Sequence, residues 1–192
     1  LIDGVVNGCP SHLLEPSRLQ QIQYSEDFSN AYWTKSGLLT PTSGFLSPSG
    51  DLSAFKLTED TSSNHQMYRA ISGTNKTLSF FAKSDGRDWI AINCGSLTYF
   101  NVALGIVGTV SAGSVATIES MPNGWFKCSV TETSAAYGAD FSLSKDGATT
   151  AYAGDGTSGV YIWGAQLEQG SYPTSYIPNY GTSAGITRVA ET

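Results

Sequence analysis

The chain has 192 residues, of which 14% are charged, with 10 Lys and Arg set against 16 Asp and Glu for a net charge of −6. That length suits one domain with a core that needs no metal or disulfide staple. The acidic balance excludes nucleic acid and anionic membrane surfaces as partners, since both are bound through clustered Lys and Arg. Apolar runs such as 102–107 are also far too short to span a bilayer.

Residues 1–12 read as an irregular lead-in punctuated by Gly4, Gly8 and Pro10, residues 13–180 as the single domain, and residues 181–192 as a tail. Pro16 is placed to open a short helix reaching Leu19 and Ile22. Beyond it, strand signals recur at 54–57, 66–71, 76–83, 87–94, 97–104, 115–121, 125–131, 140–144 and 160–167. Turn residues separate them, notably Ser84-Asp85-Gly86, Pro122-Asn123-Gly124 and Lys145-Asp146-Gly147. With 21 Gly, 10 Tyr, 8 Phe and 4 Trp, and no sustained helical period after Ile22, the sheets must bury their faces against each other. The expected fold is all-β, a two-sheet antiparallel β-sandwich of jelly-roll type.

Alternation assigns the faces. Leu78, Phe80 and Ala82 point to the core, as do Ile90, Ile92 and Cys94, then Phe100, Val102 and Leu104, then Phe126, Cys128 and Val130. Tyr161, Trp163, Ala165 and Leu167 form one near-continuous apolar face, with Trp163 as a core plug. The same parity turns Arg87, Trp89, Ala91 and Asn93 outward, together with Tyr99 and Asn101. Trp125, just after Asn123-Gly124, reads as a staple for that turn. The chain has three cysteines, so one cannot pair internally, and Cys94 and Cys128 read as buried thiols.

No catalytic signature is present. His12 and His65 lack partners at metal-ligand spacing, and there is no nucleophile elbow or phosphate loop. Glu26-Asp27, Glu59-Asp60 and Asp85/Asp88 read as solvated loop charges and caps. Glu15, Asp146 and Asp155 could offer oxygens to a structural calcium, but calcium-loop spacing is missing, so no cofactor is expected. Asn75-Lys76-Thr77 fits a glycosylation sequon and, without a secretion signal, reads as chance.

The outward aromatics point to sugars. A glycan offers C–H faces that lie on an aromatic ring and hydroxyls that need directional partners. Trp89 with Asn93 and Arg87, Tyr99 with Asn101, and Tyr68 with Gln66 and Arg69 fit that recipe. The competing reading packs these rings under loops or at a subunit interface.

Three segments carry a family resemblance. The first is Leu13-Leu14-Glu15-Pro16-Ser17-Arg18 followed by Tyr24-Ser25-Glu26-Asp27-Phe28-Ser29-Asn30-Ala31-Tyr32-Trp33. The second is Asn123-Gly124-Trp125-Phe126-Lys127-Cys128-Ser129-Val130. The third is Gly156-Thr157-Ser158-Gly159-Val160-Tyr161-Ile162-Trp163-Gly164-Ala165-Gln166-Leu167-Glu168, running into Tyr172-Pro173-Thr174-Ser175-Tyr176-Ile177-Pro178. Together these resemble a phage virion domain of head fibres, spikes and tail-associated proteins, whose pattern is similar to jelly-roll carbohydrate-binding modules. Two departures stand out: Leu19-Gln20-Gln21 replaces a Thr-Asn-type stretch, and Gly164-Ala165-Gln166 lacks the acidic residues of calcium-binding relatives.

The resemblance implies a non-enzymatic domain on the virion surface, assembled in the bacterial cytoplasm. Its implied partners are surface glycans, other virion proteins and further copies of itself, a trimer being common in fibres and spikes. The alternatives are a purely structural decoration or spacer domain and, less expected, a glycan-cleaving enzyme.

Overall fold

The computed structural model describes residues 15–37, 39–95 and 97–190, so the expected lead-in over residues 1–12, with His12, lies outside the described residues. In chain order the strands are β1 Arg18–Gln20, β2 Thr34–Ser36, β3 Thr40–Phe45, β4 Ala54–Thr58, β5 Gln66–Asp85 and β6 Trp89–Asn93. They continue with β7 Leu97–Asn101, β8 Ile106–Val110, β9 Ser114–Ser120, β10 Phe126–Ser144, β11 Gly159–Gln169 and β12 Ile186–Arg188. A single 3-10 turn, Pro122–Gly124, precedes β10. All strand pairs are antiparallel.

Two long strands organise everything else. β5 and β10 pair from Phe126↔Ala82 to Ser142↔Gln66, with register shifts between Glu132 and Ala135 and between Ala136 and Gly138. Bulges bend and twist a ladder, and here they let one strand pair serve two layers. At one end β11 borders β5 and β9 borders β10, giving layer one, β3-β4-β11-β5-β10-β9. At the other end β2 borders β5 and β6 borders β10, giving layer two, β2-β5-β10-β6-β7-β8. The runs read as separate strands at 66–71 and 76–83, and at 125–131 and 140–144, are the two ends of these strands. The result is an all-β sandwich.

The core lies between the layers. Phe80 meets Phe141 at 5.3 Å and Phe100 at 6.0 Å between ring centroids, edge-on in both cases. Leu78, Ile90, Ile92, Cys94, Val102, Cys128 and Val130 fill the same space, as their parity predicts. The N-terminal segment closes one side, with Phe28 on Trp33, Phe55 and Phe141.

Three sequence expectations change. No helix follows Pro16; residues 18–20 form β1, paired with β12 across Arg18↔Arg188 to Gln20↔Ile186. The stretch read as a tail from residue 181 therefore contributes a strand. Leu104 is 70% exposed because Asn101 Oδ1 accepts the Ala103 and Leu104 N–H groups and ends β7 in a turn. Finally, β11 does not keep one parity. A bulge between Trp163 and Gln166, with Gly164 at φ 63°, flips the alternation. Val160, Ile162, Ala165 and Leu167 then face the core, while Trp163 joins Phe81, Trp125 and Ala54 in a second cluster on the outer side of layer one.

Candidate functional site

The two outer faces differ in what covers them. Across layer one runs the C-terminal segment, residues 170–179. Gln166 Oε1 accepts the Ile177 N–H at 2.6 Å, and the buried Glu168 accepts the Thr174 N–H at 2.8 Å and hydroxyl at 2.7 Å. Thr77 Oγ1 donates to the Gly170 carbonyl and Lys127 Nζ to the Thr174 carbonyl. Gln20, fully buried, bonds four backbone groups, of Ala165, Ile177, Ile22 and Leu167. The Gln166-Leu167-Glu168 motif is thus a clamp for the chain's own end.

Layer two keeps part of its outer face open. Its far half is covered by the 145–149 turn, and this decides the fate of two expected ligand residues. Trp89 is partly buried under that turn. A side chain at Gly147, where φ is 79°, would place its Cβ 2.8 Å from the Trp89 ring, and one at Gly108 would come within 2.7 Å. Tyr99, expected outward, is buried, with its hydroxyl donating to the Ala148 carbonyl at 3.0 Å. Ala91, between them in the register, is buried too. Asn101, also expected outward, is buried as the cap of the β7 turn. The alternation was right about which face these residues occupy, but a distant turn folds over that face.

Arg87, the fourth expected ligand residue, is committed elsewhere. It donates Nε to Glu59 Oε2 at 2.9 Å and Nη2 to Oε1 at 2.5 Å, in a fork-to-fork pair. Glu59 is 1% exposed, not the solvated loop charge expected from its neighbours. It also accepts the Tyr152 hydroxyl and the Asp155 N–H. Burial pushes its carboxyl upward, but the bonds from Arg87, Tyr152 and Asp155 outweigh this and hold it below the usual range. His65, read as a loop residue, is buried beside this cluster, 4.9 Å from the Tyr152 ring. The polarity of Glu59-Asp60 masked this centre, and the bridges Asn64↔Ala151 and Gly86↔Gly159 bring Tyr152 and Arg87 to it.

The remaining three expected residues come together. Tyr68, Arg69 and Asn93 line an open groove of about 150 Å³ with Ala70, Ala139 and Asp140. Tyr68 sits opposite Asp140 in the β5–β10 register, one strand from Asn93 on β6. Asp140 Oδ2 accepts Gln66 Nε2 at 2.7 Å, and burial pushes the carboxyl up to about 6. The signal for Asp140 was its place in a predicted strand with no basic residue nearby.

Arg69 and Ala70 also line a second cleft of about 260 Å³, together with Leu19, Gln21, Gln23, Tyr32, Ile71 and 183–185. The Arg69 guanidinium carbon lies 4.3 Å from the Tyr32 ring centroid, and Nη1 donates to the Tyr32 carbonyl at 3.4 Å. Arg69 and Ala70 border both clefts, but strand parity turns Tyr68 and Asp140 to the groove and the Arg69 side chain to the opposite face of β5, where Tyr32 lies.

Other acidic side chains are spent on turns. Asp27, Asp60, Asp146 and Asp155 each accept backbone N–H groups two or three residues on. Glu15 accepts the Ser175 N–H and pairs with Arg188 at 2.7 Å. Glu15, Asp146 and Asp155 therefore do not converge, and among the described residues no three His, Cys, Asp or Glu are grouped to hold a metal. Burial raises the Cys94 thiol to about 12 and Cys128 well above its ordinary value, so both are inert.

No protein-family model matches the chain, and no curated protein matches it.

Proposed function

We propose that this is a non-catalytic glycan-binding domain of a bacteriophage virion surface, carried on a fibre, spike or decoration protein. The observation that carries the reading is the groove itself: one aromatic ring, one amide and one carboxylate around an open depression on a rigid sheet. A sugar ring would lay a C–H face on Tyr68 and direct its hydroxyls to Asn93, Asp140 and Gln66. Asp140 is the sole carboxylate among the described residues lining the two clefts, so the acid–base pair that glycoside hydrolysis requires is missing there. In these two clefts that favours binding over cleavage.

A shallow groove of this size gives modest affinity at one site, so usable adhesion comes from many copies. Exposed Leu104, Ile106 and Val115, from the β7–β9 end of the molecule, support self-association, with a trimer as the expected form. The test is binding of the protein, tethered in many copies, to an array of bacterial and algal polysaccharides. Selective binding that Tyr68→Ala removes while the fold is kept supports the reading. Silence across the array, from a folded sample, replaces it with the structural decoration reading.

A further inference from the structure

Four arginines occur in the chain, and three have carboxylate partners: Arg18 with Glu168, Arg87 with Glu59 and Asp155, and Arg188 with Glu15. Arg69 has none within ion-pair distance among the described residues, although the protein carries a net charge of −6. Its guanidinium carbon lies over the Tyr32 ring, Nη1 donates to the Tyr32 carbonyl, and the residue lines the cleft. No acidic residue lines that cleft.

The same cleft holds a second unfilled group. Gln21 Oε1 is buried and has no hydrogen-bond partner. A buried acceptor left without a donor costs free energy, and turning the Gln21 amide into the cleft lets a ligand hydroxyl recover it. Nearby, Gln23 Nε2 reaches the Ser183 carbonyl only at 3.5 Å. The cleft thus asks for two things from one ligand: an anion for Arg69 and a hydroxyl donor for Gln21. A planar carboxylate matches the guanidinium fork, and a sugar acid carries it beside free hydroxyls.

We infer that the ligand is an acidic saccharide, with a uronate-type residue in the Arg69–Gln21 cleft. This rests on the glycan-binding reading and specifies its ligand class. A neutral sugar leaves Arg69 without an anion, and inorganic sulfate supplies no hydroxyl to Gln21.

The experiment compares oligogalacturonate with its methyl ester, which removes the charge and keeps the ring, and with dextran sulfate. Each is titrated against the whole protein displayed in many copies, with near-ultraviolet circular dichroism confirming the fold. The expected result is binding of the free acid about tenfold tighter than its ester. Arg69→Gln abolishes that preference, and Arg69→Lys keeps part of it. Gln21→Ala, which leaves Arg69 on Tyr32, weakens acid and ester alike by a few-fold and guards against misfolding of the arginine variants. Equal binding of acid and ester overturns the acidic assignment and leaves the glycan reading standing. Binding of dextran sulfate with none of oligogalacturonate overturns the carboxylate. If no polysaccharide binds, neutral ones included, the glycan reading falls with it.

Discussion

Two arginines in this molecule lie against tyrosine rings, and only one of them has a carboxylate. Arg87 sits 5.1 Å from the Tyr152 ring centroid and grips the buried Glu59, whereas Arg69 sits 4.3 Å from the Tyr32 ring centroid with no acidic partner. The pair shows how one chemistry takes two roles. A cation whose countercharge is internal pins β4, the 145–158 region and the start of β6 together. A cation without an internal countercharge is the one we propose meets an anionic ligand.

Removing the paired arginine has the largest expected consequence. Arg87→Ala leaves the Glu59 carboxylate buried without its counter-ion and lowers stability by about 3–5 kcal/mol, measured by urea unfolding. Arg69→Ala lowers it by about 1 kcal/mol or less, the value of an exposed cation–ring contact. Equal losses would break the comparison.

Trp89 and Tyr68 extend it to the two halves of the outer face of layer two. Trp89→Ala opens space beneath Gly147 and Gly108 and costs about 3 kcal/mol, with the folded fraction still binding glycan.

The acidic groups separate by pH. Asp140 is raised to about 6, so the folded state holds its proton more tightly than the unfolded chain. Its contribution is greatest below about pH 4 and is lost as pH rises through about 6. Asp140→Asn therefore stabilises the domain by about 2 kcal/mol at pH 7.5, a gain that vanishes in acid. Glu59, held below its ordinary value, has the opposite sign: its stabilisation is present at neutral pH and lost on acidification. Thermal unfolding of wild type and Asp140→Asn between about pH 2 and 8 reads both slopes.

Smallest in stability is Tyr68→Ala, about 1 kcal/mol or less at a half-exposed site, with loss of glycan binding as its readout. A Tyr68→Ala variant that unfolds would make this ring packing, as Trp89 is.

Much of the fold was legible along the chain. Alternation at 76–83, 90–94 and 126–130 placed the core residues on their proper side, because a strand's period of two is local. Tyr68, Arg69 and Asn93 were picked out by residue type, and the three line one groove, although parity turns the Arg69 side chain to the other face of β5. Tyr99, Asn101 and Arg87 were misread, because parity names a face without saying whether a turn or a carboxylate from elsewhere covers it. Gly164 shows the other limit: one added residue reversed the parity of Trp163 relative to Ala165, and no alternation count registers a bulge.

By itself the sequence determined the all-β class, the core stripe of most strands and the placing of Asp27, Asp60, Asp146 and Asp155 in turns, since all of these rest on contacts within a few residues. Only the tertiary structure decided which outer face stays open, that Glu59 and not a solvent shell neutralises Arg87, and that Arg69 is left with Gln21 and no counter-ion. Those outcomes depend on segments many residues apart in the chain meeting in space, and burial and pairing are set there.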